Sequence, residues 1–218
     1  MKRVLELFSG THSVGKIAKE NYEVISLDIE LGDKHNISNH HIEADIMNWN
    51  YKHYPPHHFH IIWASPVCTW WSLLRQCNIG KSLKLLDGEV LTREILENDI
   101  LTKGVPMVDK VMEIIQYFKP NFYFIENPQT GRMKEYINFL PYYDVDYCKY
   151  SNYGYRKRTR IWTNIEGFAP LQCKKDCGYT IGKRHIVNVG DVTSCLNGKH
   201  YPRYRIPEKL IRELFKFV

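Results

Sequence analysis

Long apolar runs are missing from this chain of 218 residues. No stretch approaches the roughly 20 consecutive apolar residues that a membrane-spanning helix needs, so no membrane partner is expected. A secretory leader is not expected either: Met1-Lys2-Arg3 runs straight into Val4-Leu5-Glu6-Leu7-Phe8, and a polar, Gly-containing turn follows too soon. There is no internal repeat and no low-complexity tract, so the chain does not read as a repeat array or a linker. Cysteine is sparse and scattered. With no export signal, the six cysteines read as reduced thiols rather than as a disulfide framework. Acidic charge is in deficit, 24 residues against 30 basic ones, which leaves a net charge of +6 and a pI near 8.9. That balance leans toward polyanionic partners; on charge alone, a basic surface that merely aids solubility is an equal alternative.

What is present suits one globular domain with a sizeable core: 44% hydrophobic and 25% charged residues. Short apolar runs at Val4–Phe8, Glu23–Leu27, Ile42–Ile46, Phe59–Ala64 and Phe122–Ile125 read as strands. Residues 16–21 read as a helix, and residues 89–118 as mostly helical, with Pro106 starting a second helix in its first turn. Asp144–Cys148 and Thr159–Thr163 read as a late strand pair. Glu208–Val218 reads as a C-terminal helix entered through Pro207. Residues 73–88 read as a mobile loop. Strands alternating with helices argue for an α/β sheet covered on both faces.

The basic residues are not spread evenly. Lys149, Arg156, Lys157, Arg158 and Arg160 alternate with Tyr150, Tyr153 and Tyr155. Lys174, Lys175, Lys183 and Arg184 follow, then Lys199, Arg203 and Arg205. Positive charge mixed with aromatic rings suits contact with a nucleic-acid backbone and stacking on bases.

Three motifs carry chemistry. Ser65-Pro66-Val67-Cys68 puts a thiol after one strand, Glu126-Asn127-Pro128 puts a carboxylate after the next, and Arg158-Thr159-Arg160 brings paired guanidiniums into a third. A thiolate can attack an electron-poor ring, a carboxylate can hold a proton on it, and guanidiniums can grip a carbonyl or phosphate. Upstream, Leu5 to Gly15 reads as strand, Gly-containing turn and helix start, the kind of turn that brings backbone amides to a ligand. Asp28 ends the second strand, where a carboxylate accepts hydrogen bonds from ribose hydroxyls, and Asp45 follows the third. Taken singly, each of these is as readily a turn or cap residue, and an isolated Cys68 would more readily be packing than a nucleophile. Their order along the chain favours a site.

In that order the sequence resembles the cytosine carbon-5 methyltransferases, and compact viral and phage members of that family most of all. The resemblance covers nearly the whole chain. It implies a Rossmann-like, S-adenosylmethionine-dependent methyltransferase sheet with a very small target-recognition insertion. By resemblance, the cofactor would be held by Leu7, Phe8, Ser9, Gly10, Thr11, His12, Ser13 and Val14, by Asp28 and Ile29, by Asp45 and Ile46, and by Ser65 and Pro66. Cys68 would be the nucleophile, Glu126 would hold the proton on ring nitrogen 3, and Asn127 would brace the Cys68 loop. Arg160 would grip the carbonyl at position 2, and Arg158 would orient Glu126 or a phosphate. Arg205 to Leu210 looks like the closing motif, whose helix returns to the cofactor. The chain departs from the pattern in having Val67 between Pro66 and Cys68, Thr69-Trp70-Trp71 after the cysteine, Pro128 in place of valine, and Arg156 in place of glutamine.

The expected organisation is a catalytic core over residues 1–164, a recognition insertion over 165–204 and a returning helix over 205–218. Duplex DNA with a flipped cytosine is the expected partner of a monomer, with RNA as an open alternative. A catalytically silent, DNA-binding relative is the reading from a different class. An intracellular location is expected, in the nucleus or cytoplasm of the host if the source is viral. No metal is expected in the mechanism. Cys173, Cys177, His185 and Cys195 form a candidate zinc set, set against the alternative that these thiols pack a minimal core.

Overall fold

The computed structural model describes residues 1–30, 40–83, 86–189 and 204–218. Its strands are β1 (Arg3–Leu7), β2 (Glu23–Asp28), β3 (His40–Glu43), β4 (Ile61–Ala64), β5 (Phe122–Pro128), β6 (Tyr142–Asp146) and β7 (Arg158–Thr163). They form one seven-stranded sheet in the order β3-β2-β1-β4-β5-β7-β6. β1 pairs in parallel with β2 and β4, β2 with β3, and β4 with β5. Only β7 runs against its neighbours β5 and β6. The four residues of β4 are all buried, as befits a parallel strand covered on both faces.

The helices among the described residues are α1 (Ser13–Ala18), α2 (Leu73–Gln76), α3 (Arg93–Asp99), α4 (Val105–Phe118), α5 (Met133–Tyr136) and α6 (Glu208–Leu214). Period-2 alternation divides each strand between two cores. Val4, Ile61, Trp63, Phe124 and Ile161 meet Val14 and Ala18 of α1 and Leu210, Ile211 and Leu214 of α6 on one face. Leu5, Leu7, Ile62 and Ile125 meet Val108, Val111, Ile114 and Phe118 of α4 on the other. Beyond this packing, Arg212 of α6 grips Glu20 beside α1 with both guanidinium branches, at 2.7 and 2.8 Å.

Three local expectations shift. The two helices expected over 89–118 are α3 and α4, with Pro106 in the first turn of α4, and what differs is their joint: a five-residue π turn, Ile100–Gly104, runs one into the other. Glycine ends that turn because a Cβ on Gly104 would lie 2.9 Å from the Trp71 ring. The third strand is the polar His40–Glu43 rather than Ile42–Ile46, because the Asp45 carboxylate accepts from Met47 N at 3.0 Å and turns the chain. Residues 73–83 are ordered by α2, whose start is capped by Ser72 Oγ accepting from Leu74 N, and by a bridge between Ser82 and Val90. No helix of the described residues is long and apolar enough to cross a membrane.

The chain enters the sheet at its centre, moves outward to β3, then crosses back to β4. The reversal lies between β1 and β4, and in such sheets a crevice opens there, outside the carboxyl ends of the strands.

Candidate active site

A cavity of about 360 Å³ occupies that crevice. After β1 it is walled by Phe8, Ser9, Gly10, Thr11, Ser13 and Val14, and after β2 and β3 by Asp28, Ile29, Asp45 and Ile46. Ser65, Pro66 and Cys68 follow β4, and Glu126 and Asn127 end β5. The turn after β1 is tight: Phe8 and Gly10 adopt positive φ of 57° and 45°, and Gly10 N donates to Asp28 Oδ2 at 2.7 Å. Beneath it, buried Glu6 organises the start of α1. Its Oε1 accepts from Val14 N and Gly15 N at 3.1 and 3.0 Å, and its Oε2 accepts from Ser26 Oγ at 2.8 Å. A Cβ on Gly15 would come within 2.6 Å of that carboxylate, which is why glycine stands there.

Two residues expected at the cofactor do not line the cavity. Leu7 alternates away from Glu6 and is fully buried in the core. His12 turns inward, its Nδ1 3.5 Å from Glu6 Oε2 and its ring edge-on to His41.

Cys68 opens a single 3-10 turn, Cys68–Trp70, directly after the loop that leaves β4. Two contacts hold this loop: Asn127 Nδ2 donates to Pro66 O at 2.8 Å, and Ser65 N to Leu7 O at 3.2 Å. Glu126 is 6% exposed. Its Oε1 accepts from Tyr147 Oη at 3.0 Å and lies 3.4 Å from Lys157 Nζ. Burial, then the charge of Glu126, pushes the Tyr147 hydroxyl far above its ordinary range, so it remains a donor. A second cavity of about 470 Å³ begins on the other side of Cys68 and is lined by Thr69, Arg75, Arg156, Lys157 and Arg158. Cys68, Thr69 and Lys157 border both spaces.

No family model matches the chain. The "Probable DNA (cytosine-5)-methyltransferase" of Frog virus 3 (isolate Goorha) is 41% identical to it over 224 residues, covering 97% of this chain and 98% of that protein. The chain belongs to the DNA (cytosine-5)-methyltransferase family. Among solved structures, this methyltransferase is similar to a Spodoptera frugiperda DNMT2 E260A/E261A/K263A mutant, with 17% identity and a TM-score of 0.48. That likeness covers 75% of this chain and 49% of the other.

In the methyltransferase neither of the paired arginines touches Glu126. Residues 158, 160 and 162 of β7 face one side of the sheet, whereas Glu126 is registered with Ile161 on the other. Arg158 forks onto Asp146 (Nε to Oδ1 2.9 Å, Nη2 to Oδ2 2.7 Å). Arg160 forks onto Asp144 (2.8 and 2.9 Å) and stacks over Tyr142. Arg158 thus reaches the second cavity without touching Glu126, and Arg160 lines neither cavity. The group at Glu126 is Lys157, just before β7. Sequence reasoning missed it because the arginine pair drew the attention. Met107, from the start of α4, also lines the first cavity, and no sequence signal marked it.

The cysteine–histidine set changes membership. Cys173, Cys177 and His185 do converge, but their fourth neighbour is Cys148, with the four ligand atoms all within 4.8 Å of one another. Cys195 lies outside the described residues. Burial pushes the Cys148 thiol up. Burial also acts upward on Cys173, but hydrogen bonds led by Lys175 N outweigh it and lower that thiol.

Proposed function

We propose that this protein transfers a methyl group from S-adenosylmethionine to carbon 5 of cytosine in DNA, through a covalent bond between Cys68 and the base. The observation that carries this reading is that Cys68 and Glu126, from successive parallel strands, border one cavity at the switch point of the sheet. The lining suits the cofactor. Ser9 Oγ is buried there with no hydrogen-bond partner among the described residues. Asp28 and Asp45 supply carboxylates for hydroxyl and amino groups, and Phe8 and Ile46 supply apolar walls. When bound, S-adenosylmethionine supplies an electrophilic methyl group.

Carbon 5 of cytosine is too weak a nucleophile to take that methyl group unaided. Cys68 Sγ adds to carbon 6, and Glu126 holds a proton on ring nitrogen 3, so the ring electrons accumulate at carbon 5 rather than as a ring anion. Once the methyl group is on carbon 5, loss of the carbon 5 proton expels the Cys68 thiolate. Tyr147 and Lys157, both on Oε1, orient Glu126 and leave its second oxygen for the base. Asn127 holds the Pro66 carbonyl and with it the approach of the thiol. The second cavity, bordered by Cys68 and lined by Arg156, Lys157 and Arg158, suits the phosphates flanking an extruded cytosine whose ring meets Cys68 and Glu126 in the first.

The test is transfer of labelled methyl from S-adenosylmethionine to duplex DNA, with Cys68→Ser as control. Label on carbon 5 of cytosine that disappears with Cys68→Ser supports the reading. Label on RNA alone moves the substrate to RNA. Transfer that survives in Cys68→Ser refutes the mechanism, and no transfer to any nucleic acid by a protein that still binds the cofactor refutes the activity.

A further inference from the structure

We infer that Cys148, Cys173, Cys177 and His185 bind one structural zinc ion that clasps the insertion after β7 to the outer edge of the sheet. Cys148 lies in the 3-10 turn Tyr147–Lys149 that directly follows β6. Cys173 and Cys177 flank a tight loop, and His185 ends a two-stranded hairpin, β8 (Thr180–Ile181) and β9 (Arg184–His185). Three separate segments thus converge on one point. In a tetrahedral site, Zn–S bonds of about 2.3 Å and Zn–N bonds of about 2.0–2.1 Å put sulfur and nitrogen about 3.6 Å apart. The Cys173 and Cys177 sulfurs stand 3.5 and 3.4 Å from His185 Nε2.

Hydrogen bonding alone accounts poorly for this arrangement. One ring nitrogen has a single lone pair or a single proton, yet two sulfurs approach it equally. The local backbone suits a thiolate. Lys175 N donates to Cys173 Sγ at 3.3 Å, and positive φ at Lys175 (71°) and Gly178 (80°) wraps the chain around the sulfurs. Lys149 strapped to Asp176 at 3.0 Å ties the same two segments together from outside.

Three thiolates and an imidazole are a soft, closed donor set that favours zinc over magnesium or calcium. Binding releases three protons from the thiols and leaves a site of net charge −1 among Lys149, Lys174 and Lys175. With all four positions taken by protein, the ion has no open coordination site and serves architecture. Its reach extends inward: Cys173 N donates to Asp146 Oδ2 at 2.7 Å, the same oxygen that holds Arg158 Nη2. The inference stands independently of the proposed reaction.

The test is the metal content of the full-length protein purified without chelator, with a thiol count in denaturant. One zinc per chain and six titratable thiols are expected after zinc is stripped. Cobalt added to the stripped protein should give thiolate charge-transfer bands and tetrahedral d–d bands. Cys177→Ser and His185→Ala should weaken zinc binding on the order of 100-fold or more, since even outer-shell partners cost 10–100-fold. His185→Cys preserves four donors and should keep the metal, which guards against variants that merely misfold. Cys77→Ser, outside the cluster, should keep it as well. A folded protein that takes up no zinc or cobalt, or a Cys173–Cys177 disulfide found by mass spectrometry, overturns the inference. Loss of zinc in Cys195→Ser with retention in Cys148→Ser overturns the ligand set.

Discussion

Replacing Glu6 separates charge from hydrogen bonding at the base of the first cavity. Glu6→Gln keeps a carbonyl for Val14 N and Gly15 N, and its amide can still face Ser26 Oγ. The loss is one of charge assistance, about 1–2 kcal/mol. Glu6→Leu keeps the volume but strands three donors: the Val14 and Gly15 amides and the Ser26 hydroxyl. Each buried donor left unpaired costs about 1–3 kcal/mol, so the variant should lose about 3–9 kcal/mol, a large part of a domain stability of about 5–15 kcal/mol. Urea unfolding followed by tryptophan fluorescence measures both variants against the parent, and calorimetric titration of S-adenosylmethionine reports whether the loop above Glu6 still forms. Leucine and glutamine variants of equal stability, within about 0.5 kcal/mol, would refute the claim that this carboxylate satisfies the start of α1.

Val67→Pro should fold with unchanged or higher Tm, because Val67 already has φ of −53°, within the range a proline ring imposes; a fall in Tm on calorimetry would contradict this. Lys157→Met, which keeps the chain length but removes the cation 3.4 Å from Glu126, should lower kcat roughly 10- to 100-fold, corresponding to a charged hydrogen bond of about 1.5–3 kcal/mol. Single-turnover methyl transfer measures it. Burial acts upward on Asp99, but its bonds to Lys103 and Arg75 outweigh this and hold the carboxyl below its ordinary 3.8. A depressed folded value means that its stabilisation is complete above the unfolded value and is lost as pH falls through the folded one. Asp99→Asn should therefore flatten the acid limb of stability against pH below about pH 4, while leaving its shape at neutral pH unchanged.

Much of the framework was legible in the chain because it is local. Buried parallel strands such as Ile61–Ala64 are short apolar runs, and residues just beyond them become the crevice wall, so Asp28, Cys68 and Glu126 could be named from their place after strands, and Phe8 through the family resemblance. What escaped depends on where strands lie across from one another. Alternation along β7 turns Arg158 and Arg160 away from Glu126 and toward Asp146 and Asp144, and only the register of β6 supplies those carboxylates. Cys148 looked like a strand cysteine, because its distance from Cys173 matches no compact ligand spacing and only the fold closes the gap. The role of Gly104 was hidden for the same reason: it makes room for Trp71, a neighbour remote in sequence.

Cys68 borders two neighbouring cavities rather than one. In the proposed mechanism Cys68 engages the base and never the methyl group, so no methylated enzyme form is released between two half-reactions. Donor and acceptor would then have to be bound together, and double-reciprocal plots with both concentrations varied should intersect rather than run parallel. A compound that joins an adenosine-like head beside Asp28 and Asp45 to a pyrimidine-like head beside Cys68 and Glu126 would engage both binding surfaces at once. Joining the two heads would then gain the effective-concentration advantage of a bivalent ligand.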